Sequence, residues 1–313
     1  MIDVIIPNYN GAKHLPTCLN ALRRQTRRDF CVVVVDDGST DDSCELLRRG
    51  YPEAQVIVQP RNRGFAAAVN AGFEATGGEY VVLLNNDTEA HPRWLEQLVG
   101  ALERYPSYAF AASKLMLFDQ RDHLHSAGDF YGANGVPGSR GVWQHDAAAY
   151  NVMQEVFGPC AGAAAYRRSA LEALSERGQV FDEDLVMYCE DVDLNLRARL
   201  RGLRTLYVPQ AVVYHRLSAT GGGKLASYYC GRNFILVWAK NMPAALVRKH
   251  LAAFVRAQLS FTLAALWHVR EEAARARLRG QAAGLLALPR FVRKRRQRFS
   301  RSAAPALAPT LTL

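Results

Sequence analysis

The chain lacks several features that mark common protein classes. No apolar run approaches the roughly 18 residues of a membrane-spanning helix, so no transmembrane segment is expected. The six cysteines form no CxxC pair and no zinc-ligand spacing, which is typical of buried free thiols in a reducing compartment. No signal peptide is expected, because residues 2–6 (IDVII) already have the composition of a first strand.

Two phosphate-binding motifs are also absent. The first predicted strand is not followed by GxGxxG, which disfavours a Rossmann dinucleotide site. Residues 220–224 (TGGGK) resemble a P-loop, but Ser218 occupies the position of the motif's first glycine, and Leu225 that of its Ser or Thr. We therefore predict a mobile loop at this position.

Acidic residues are scarce in the C-terminal part of the chain. The whole sequence of 313 residues has 39 Lys and Arg against 29 Asp and Glu, a net charge of +10. Residues 244–301 contain 14 of the basic residues, whereas Glu271 and Glu272 are their only acidic ones. The remainder is nearly neutral, so the basic character belongs to a C-terminal segment.

Strand-like and helix-like segments alternate through the first hundred residues. Apolar strands are predicted at 30–35, 56–58, 81–84 and in the first part of 2–10, which runs into a loop because Pro7 and Asn8 cannot continue the strand. Helical patterns lie between them, at 13–25, after 41–43 and at 66–76. This alternation predicts a doubly wound parallel sheet.

Polar residues follow each of these four strands: 8–10 (NYN), 36–37 (DD), 62–64 (NRG) and Asp87. Open α/β sheets bind ligands at the carboxyl ends of their strands, so the pattern predicts a nucleotide crevice. Asp87 is the first candidate for a metal or phosphate site. The alternative is a strand-ending Asx turn.

Glu190, Asp191 and Asp193 place three carboxylates at a predicted helix start. Capping of the helix dipole is the structural alternative. Because Asp191 and Asp193 cannot share a helix face, we expect one of them to act as a general base. A neighbouring carboxylate would raise its pKa.

Six motifs occur in an order that identifies a family: IIPNYNG, VVDDGSTDDS, NRGFAAAVNAG, LLNNDT, GPCAGAAAYRR and YCEDVDLNLRARLRG. Over roughly residues 2–240 the chain resembles family 2 glycosyltransferases, and most closely their rhamnosyltransferase-like bacterial members. The implied fold class is α/β. It is the GT-A fold, a Rossmann-like doubly wound mixed sheet, here with a C-terminal basic helical extension.

The resemblance implies a donor site at the ends of the first four strands. Its nucleotide-sugar-binding residues would be Pro7, Tyr9, Asp36, Asp37, Asn62, Gly64, Asn86 and Asp87. Within this set, Pro7, Tyr9 and Asp36 would hold the base, with Asp36 accepting a hydrogen bond from the pyrimidine N3–H. Asn62 and Gly64 would lie near the ribose and diphosphate.

The resemblance also implies a metal ion and a catalytic base. Residues 85–87 (NND) match the family's DxD motif, so Asp87 would bind Mg²⁺ or Mn²⁺, although Asn85 replaces the first Asp and removes one charge. His215 matches a position that can supply a further ligand; its alternative is an ordinary hydrogen-bonding group. Asp191, with Glu190 beside it, matches the base that deprotonates the acceptor in an inverting displacement.

Acceptor contacts are less specific in the sequence. Arg232, in YYCGRN, matches a residue beside the active site of relatives and could reach a phosphate or the acceptor; pairing with a carboxylate is the alternative. Trp143, His145 and Tyr150 lie in a middle region, 107–160, where acceptor sugars stack in such enzymes.

Three segments are predicted. Residues 1–241 would form the catalytic domain, with a nucleotide-binding half to about 100 and an acceptor half after it. Residues 242–300 would form a basic amphipathic helical extension, and 301–313 a disordered tail. The extension is expected to lie on an anionic membrane, placing the protein in the cytoplasm at the inner face of the cytoplasmic membrane. A packed bundle with a solvated basic face is the alternative.

The expected activity is transfer of a sugar from dTDP-rhamnose or a UDP-sugar to a glycan or lipid-linked acceptor. A nucleotidyltransferase, which would also use a metal and a parallel sheet, is the rival enzyme, and a degenerate membrane-bound scaffold is the rival without activity. Nucleic-acid binding fits the charge, but no groove-reading or aromatic motif supports it. The sequence does not indicate an oligomeric state.

Overall fold

A computed structural model describes residues 1–216 and 223–301, the side chains of 298–301 excepted. The predicted loop at 220–224 lies mostly outside these residues. Of the predicted tail, 301–313, only Arg301 is described, as the last residue of a helix. The α-helices are α1 (Leu15–Arg23), α2 (Ser43–Gly50), α3 (Phe65–Glu74), α4 (Trp94–Arg104), α5 (Arg168–Leu174), α6 (Glu190–Leu200), α7 (Lys224–Asn241), α8 (Ala244–Trp267) and α9 (Glu272–Arg301).

The strands are mostly short and lie before residue 216. They are β1 (Ile2–Asn8), β2 (Phe30–Asp36), β3 (Gln55–Val58), β4 (Tyr80–Leu84), β5 (Thr88–Ala90), β6 (Phe110–Leu117), β7 (Leu124–Ser126), β8 (Asp129–Tyr131), β9 (Pro137–Ser139), β10 (Gln154–Val156), β11 (Ala163–Arg167) and β12 (Thr205–His215). The strands and helices predicted within the first hundred residues are all present.

The described residues fall into two compact units. The first comprises Met1–Asp129, Ser139–Val186 and the described part of 203–220. The second comprises Phe130–Gly138, Met187–Gly202 and the described part of 221–313. Neither limit coincides with the division predicted at 241, and that division stays a prediction.

The first unit is built on a mixed sheet of ten strands among the residues described. Its order is β10-β12-β6-β11-β4-β1-β2-β3, with β5 paired to β12 and β7 to β6. β3, β2, β1 and β4 are parallel, as the strand–helix alternation predicts. β11 runs antiparallel between β4 and β6, which makes the sheet mixed. This confirms the predicted fold class.

Helix α4 packs on the sheet through one apolar face. Trp94, Leu95, Leu98 and Leu102 are fully buried. The Trp94 indole N–H donates to Ser113 Oγ on β6 at 2.8 Å, so this large ring is buried with its polar atom satisfied.

β12 delivers His215 to the carboxyl edge of the sheet. The sequence predicts two short strands here, but one strand runs from Thr205 to His215, and its register against β6 shifts between Val208 and Val212. Pro209 lies in this interval and has no N–H for a ladder hydrogen bond, which accounts for the irregularity. Past it, His215 pairs with Thr88 of β5, next to Asp87.

The second unit is helical apart from the short hairpin strands. Residues 242–300 are largely helical, as predicted, and form two helices, of which α9 continues through Pro289. α9 packs closely on α7, because a Cβ at Gly280 would lie 2.1 Å from the Tyr228 carbonyl oxygen. In the part of the chain that is described, none of the helices combines the length and apolar character that crossing a bilayer requires.

All six cysteines are free thiols. Cys18 and Cys189 are buried, as predicted, but Cys31 is exposed. Cys31 is among the first three residues of β2, none of which is buried, so the prediction of burial is wrong for this residue.

Candidate functional site

A buried amide joins the carboxyl ends of three strands in the first unit. The Asn8 side chain donates from Nδ2 to Asp36 Oδ2 at 2.8 Å and accepts at Oδ1 from Asn86 Nδ2 at 2.7 Å. Gly11 leaves room for this arrangement, since a Cβ there would lie 2.2 Å from both Asn8 Oδ1 and Asn86 Nδ2. The polar residues that follow β1, β2 and β4 are therefore one connected network.

The two aspartates after β2 have separate partners. Asp36 is fully buried and accepts from the Ser39 backbone N–H at 2.9 Å as well as from Asn8. Asp37 accepts from the backbone N–H groups of Arg63 at 2.9 Å and Gly64 at 2.7 Å. Burial raises the pKa of Asp37, against these hydrogen bonds. Asp37 thus fixes the loop after β3, and the base-binding role of Asp36 stays a prediction.

The loop after β3 is shaped by Asn62 and Gly64. Asn62 Oδ1 accepts from the Gly64 N–H at 3.0 Å. Gly64 has φ +91, and a Cβ there would lie 2.5 Å from Val186 Cγ1, so a side chain is excluded on two grounds. At the end of β1, Pro7 is partly exposed and Tyr9 is 43% exposed, so its ring is open to a planar ligand.

Asp87 is a buried carboxylate with an unsatisfied oxygen. It is 5% exposed, and within the described residues its Oδ1 has no hydrogen-bond partner. His215 Nε2 lies 3.1 Å from this oxygen, and Asn85 Nδ2 lies 3.4 Å from the same ring nitrogen. A buried carboxylate oxygen that makes no regular hydrogen bond to the described residues and an imidazole nitrogen 3.1 Å away offer two ligand atoms to one position, so these residues fit a divalent ion.

Two further histidines belong to this region, and the sequence reasoning missed both. His125 Nδ1 on β7 lies 2.9 Å from His215 Nδ1, and desolvation lowers the pKa of His125 to about 3. His14 precedes α1; burial lowers its pKa, and the charge of Asp87 opposes that shift. The HLH triplet at 123–125 is a sequence pattern that could have indicated His125, whereas no pattern around His14 indicates it.

The small residues before β11 make room beside the metal candidates. The sequence predicts a small-residue strand entering a helix over 157–168, and β11 and α5 follow this pattern. The Gly162 carbonyl accepts from the Asn85 N–H at 2.9 Å. A Cβ on Gly162 would lie 3.3 Å from Asn85 Nδ2 and 3.6 Å from His215 Cε1. Glycine here keeps the space next to both side chains open.

In the second unit, the predicted carboxylates begin α6 after a left-handed turn. Tyr188 and Cys189 have φ of 62° and 66°, which is uncommon for residues other than glycine. The buried Asn233 side chain donates to the carbonyls of Met187 at 3.0 Å and Tyr188 at 2.7 Å. Asn233 of the YYCGRN motif therefore holds the turn that presents Glu190 and Asp191.

Asp193 lies in a buried cluster of charged and polar side chains. It accepts from Lys240 Nζ at 2.8 Å, Arg197 Nε at 3.0 Å and Asn241 Nδ2 at 2.8 Å, and it is fully buried. Asp191 is partly exposed, and its Oδ1 accepts from the Val192 N–H at 2.7 Å. Of these two aspartates, only Asp191 is accessible to an acceptor.

Glu190 is a buried carboxyl group beside Asp191. Burial raises its pKa well above the ordinary value, and the charge of Asp191 adds to the shift. Among the residues described, its Oε2 has no hydrogen-bond partner. These features favour the protonated, uncharged form of Glu190 over the charged form.

The two predicted acceptor residues have different surroundings. In the first unit, Trp143 is 59% exposed and has φ of 65°. Its backbone N–H donates to the Leu124 carbonyl at 2.9 Å. In the second unit, Arg232 Nη1 donates to Asn233 Oδ1 at 2.8 Å. Their roles toward an acceptor stay predictions.

The sequence matches the family described as "Glycosyl transferase family 2" over residues 3–175, more than half of the chain. An uncharacterized glycosyltransferase, alr2836, of Nostoc sp. is 38% identical over 105 residues, covering 33% of each chain. AglE of Haloferax volcanii is 35% identical over 106 residues, 32% of this chain and 35% of that protein. The chain thus spans about a third of the length of these two relatives.

One longer match is to the N-acetylglucosaminyl-diphospho-decaprenol L-rhamnosyltransferase of Mycobacterium tuberculosis. It is 29% identical over 256 residues, which cover 71% of this chain and 78% of that protein.

Two solved structures are similar in fold. A fragment of S. aureus TarS in complex with UDP has a TM-score of 0.56 at 19% identity, covering 95% of this chain and 91% of that one. A mannosyltransferase of Pyrobaculum calidifontis, in complex with GDP-Man and Mn²⁺, has a TM-score of 0.57 at 20% identity, covering 94% and 84%. Together with the mixed sheet and the family match, these similarities show that the chain has a GT-A fold and belongs to glycosyl transferase family 2.

Proposed function

We propose that this chain is an inverting glycosyltransferase that moves a sugar from a nucleoside-diphosphate sugar to a hydroxyl group of a glycan or lipid-linked acceptor. The family supports the reaction class, and the name of the relative from M. tuberculosis supports rhamnose as the sugar that is transferred. Our candidate donors are dTDP-rhamnose and a UDP-sugar. The unsatisfied Asp87 oxygen, with His215 beside it, is the observation that carries the proposal.

The donor would lie along the carboxyl ends of β1 to β4. The exposed Tyr9 ring and Pro7 would contact the base, with Asp36 and Asp37 beneath it holding Asn8 and the 62–64 loop. That loop presents backbone groups fixed by Asn62 and Gly64, suited to the ribose and diphosphate. Asn86 would act through its hydrogen bond to Asn8.

Asp87 and His215 would hold a divalent ion, Mg²⁺ or Mn²⁺. A bound ion would supply positive charge to the diphosphate leaving group. Asn85 contributes no charge, so the site relies on the Asp87 carboxylate and the His215 imidazole. His125 lies next to the other ring nitrogen of His215. Oxygen ligands suit both ions.

Asp191 would take the proton of the acceptor hydroxyl as its oxygen attacks the anomeric carbon. The bond between that carbon and the diphosphate oxygen breaks in the same step, which inverts the configuration. A protonated Glu190 would carry no charge to compete with Asp191 for that proton. Arg232 and Trp143 are the candidates for contacting acceptor groups.

A lipid-linked acceptor fits the exposed face of α8. Leu251, Val255, Leu259 and Leu263 recur every fourth residue and are 44–66% exposed. By helical spacing the exposed Arg248 lies within this stripe and the exposed Lys249 and Arg256 flank it, whereas Phe254, Gln258 and Ala265 are buried along the adjacent face. An apolar stripe flanked by cations matches the interface of an anionic bilayer, which is the surface we propose it contacts.

The test is turnover and binding with defined donors. The chain should release nucleoside diphosphate from a dTDP- or UDP-sugar when Mn²⁺ is present and not with EDTA. A donor at a hundredfold its Kd should stabilise the protein by about 2.7 kcal/mol in a thermal-shift assay. Asp87→Ala should lose the Mn²⁺-dependent part of that shift, and Asp191→Asn should keep the shift but lose turnover.

The matched control is Asp42→Asn, which changes an exposed aspartate that makes no side-chain cap hydrogen bond. It should behave as wild type in both assays. Turnover of UTP or dTTP with release of pyrophosphate would replace the proposal by a nucleotidyltransferase. No shift with any sugar nucleotide would overturn the donor site.

A further inference from the structure

Two histidines and one aspartate converge at the surface of the first unit, apart from the residues assigned to the donor. His123 Nδ1 lies 2.9 Å from Asp122 Oδ1, and His145 Nδ1 lies 3.3 Å from Asp122 Oδ2. The two imidazole centroids are 3.9 Å apart at an interplanar angle of 42°. A ligand atom from each of the three side chains lies within 4.8 Å of the other two. We refer to Asp122, His123 and His145 as the surface triad.

The backbone holds the triad in register. His123 and His145 form an antiparallel bridge, which places their side chains as a directly opposed cross-strand pair. Backbone hydrogen bonds flank the bridge: Leu124 N–H to Gln144 O at 2.8 Å and Asp146 N–H to Asp122 O at 2.8 Å. The imidazoles are therefore brought together by the fold rather than by flexible side chains alone.

A buried lysine anchors the segment that carries His145. Lys114 on β6, whose side chain is 4% exposed, forms an ion pair with Asp146 and donates to Asn151 Oδ1 at 2.8 Å. Asn151 in turn donates to the Ala147 carbonyl at 3.2 Å. This network fixes the segment that carries His145, so a ligand bound to the triad would meet a preorganised site.

We propose that the surface triad is a binding site for a divalent transition metal of the Zn²⁺ class, separate from the Asp87 site. Two imidazoles and one carboxylate are the donor set that suits Zn²⁺, Ni²⁺ or Cu²⁺, whereas Mg²⁺ prefers oxygen ligands alone. Three protein ligands leave positions for water, and the exposure of Asp122 and His145 gives an ion direct access.

A metal at the triad would fasten the 140–151 segment to β7. His145 lies on that segment, and His123 immediately precedes β7. A shared ion would therefore connect the segment and the strand through side chains, in addition to the backbone hydrogen bonds between them. The segment carries Trp143, and β7 carries His125. The ion would therefore limit the movement of Trp143 without contacting it. Metal binding itself does not depend on the proposed transfer reaction.

The experiment is calorimetric titration of Zn²⁺ into the full chain without an affinity tag. The Asp87→Ala background is used so that the donor site does not contribute. In this background one site should remain, and His145→Ala or Asp122→Asn should weaken it at least about tenfold. Hydrogen exchange should show the backbone amides of Trp143 and Asp146 slowed by Zn²⁺ and unchanged by Mg²⁺.

His268→Ala is the matched control, because His268 is an exposed histidine with a single carboxylate partner, Glu271, at 3.1 Å. It should leave Zn²⁺ affinity unchanged. The proposal is overturned if the background protein binds no Zn²⁺, or if His145→Ala and Asp122→Asn leave its affinity at that of the control. Asp122 and His145 are exposed, so their replacement tests binding rather than folding.

Discussion

At the scale of single residues, His215 is held from both sides of its ring. Nε2 faces Asp87, and Nδ1 lies 2.9 Å from His125 Nδ1. A partner on the far ring nitrogen fixes the tautomer and orientation of a metal-binding imidazole. His125→Ala should therefore weaken Mn²⁺ binding about 10–100-fold, measured by calorimetry or by the electron paramagnetic resonance signal of free Mn²⁺.

The His125 experiment has a rescue and a control. His125→Asn keeps a polar group near Nδ1 of His215 and should recover part of the lost affinity. His91→Ala changes an exposed histidine whose Nδ1 accepts from the Arg93 N–H, and it should have no effect. Equal Mn²⁺ affinity in wild type and His125→Ala would contradict a positioning role.

Glu190 gives a prediction about pH. Its pKa in the folded protein is raised, so the unfolded chain releases this proton at a lower pH than the folded one. Stability is therefore lost as pH rises above the ordinary glutamate pKa of about 4.3. Glu190→Gln removes this loss, and its unfolding midpoint should exceed that of wild type by more at pH 8 than at pH 5.

Chemical denaturation at the two pH values measures this difference. Glu74→Gln, at an exposed glutamate, should show the same change in midpoint at both. If Glu190→Gln is equally or less stable than wild type at pH 8, the charge of buried Glu190 does not destabilise the folded protein.

At the scale of elements, the contact between α7 and α9 depends on glycine. A Cβ at Gly280 would meet the Tyr228 carbonyl oxygen at 2.1 Å, and one at Gly231 would meet the Arg277 carbonyl oxygen at 2.7 Å. These are backbone atoms, so the helices must separate to admit a methyl group. Gly280→Ala should destabilise the protein by about 1–3 kcal/mol, measured by chemical denaturation.

Gly100→Ala is the control for helix propensity. Gly100 lies inside α4, and a Cβ there would meet nothing within 4 Å. The same change should stabilise the protein by up to about 1 kcal/mol, because alanine is the better helix former. Stabilisation by Gly280→Ala as well would contradict close helix packing.

Local sequence patterns predicted most of the helices and strands, but they did not predict which strands that are distant in sequence pair with each other. The apolar spacing in 93–104 predicts α4 and its buried face, and Pro209 marks the irregularity in β12. The position of β11 between β4 and β6 depends on hydrogen bonds to segments about fifty or more residues away, which no local pattern encodes. The break between α8 and α9 at 268–271 has no glycine or proline to announce it.

The candidate site divides in the same way. The positions of Asp36 and Asp87 follow from strand ends, and these residues lie at one edge of the sheet. His125 was missed because its partner, His215, is 90 residues away. The sequence alone does not distinguish Asp191 from Asp193, because the contacts that set Asp193 apart come from Lys240 and Asn241, which are distant in sequence.

At the scale of the whole molecule, basic charge and exposed apolar surface occur in the same C-terminal segment, residues 244–301. The net charge of +10 arises largely from residues 244–301, where the Leu259 and Leu263 side chains are also exposed. The double variant Leu259→Glu/Leu263→Glu should reduce co-sedimentation with vesicles of anionic phosphatidylglycerol at least about tenfold. Raised ionic strength should weaken wild-type binding by screening.

Val58→Glu is the control, because Val58 is 61% exposed on β3 in the first unit. It should bind vesicles as wild type does. The membrane proposal fails if the double variant still co-sediments, or if wild type binds neutral and anionic vesicles equally at low salt. Loss of self-association instead of vesicle binding in the double variant would identify α8 as a contact between copies.

The charge cluster around Asp193 has a consequence for synthesis on the ribosome. Asp193 shares its oxygens with Lys240 and Asn241, which lie 47 and 48 residues later, while Arg197 lies on its own helix. A buried carboxylate that lacks its cationic partners is strongly destabilising. Arg197 alone leaves the cluster without Lys240 and Asn241, so we expect the α6 segment of a nascent chain to be buried stably only after α7 has left the exit tunnel, and the turn that presents Asp191 to be completed only then.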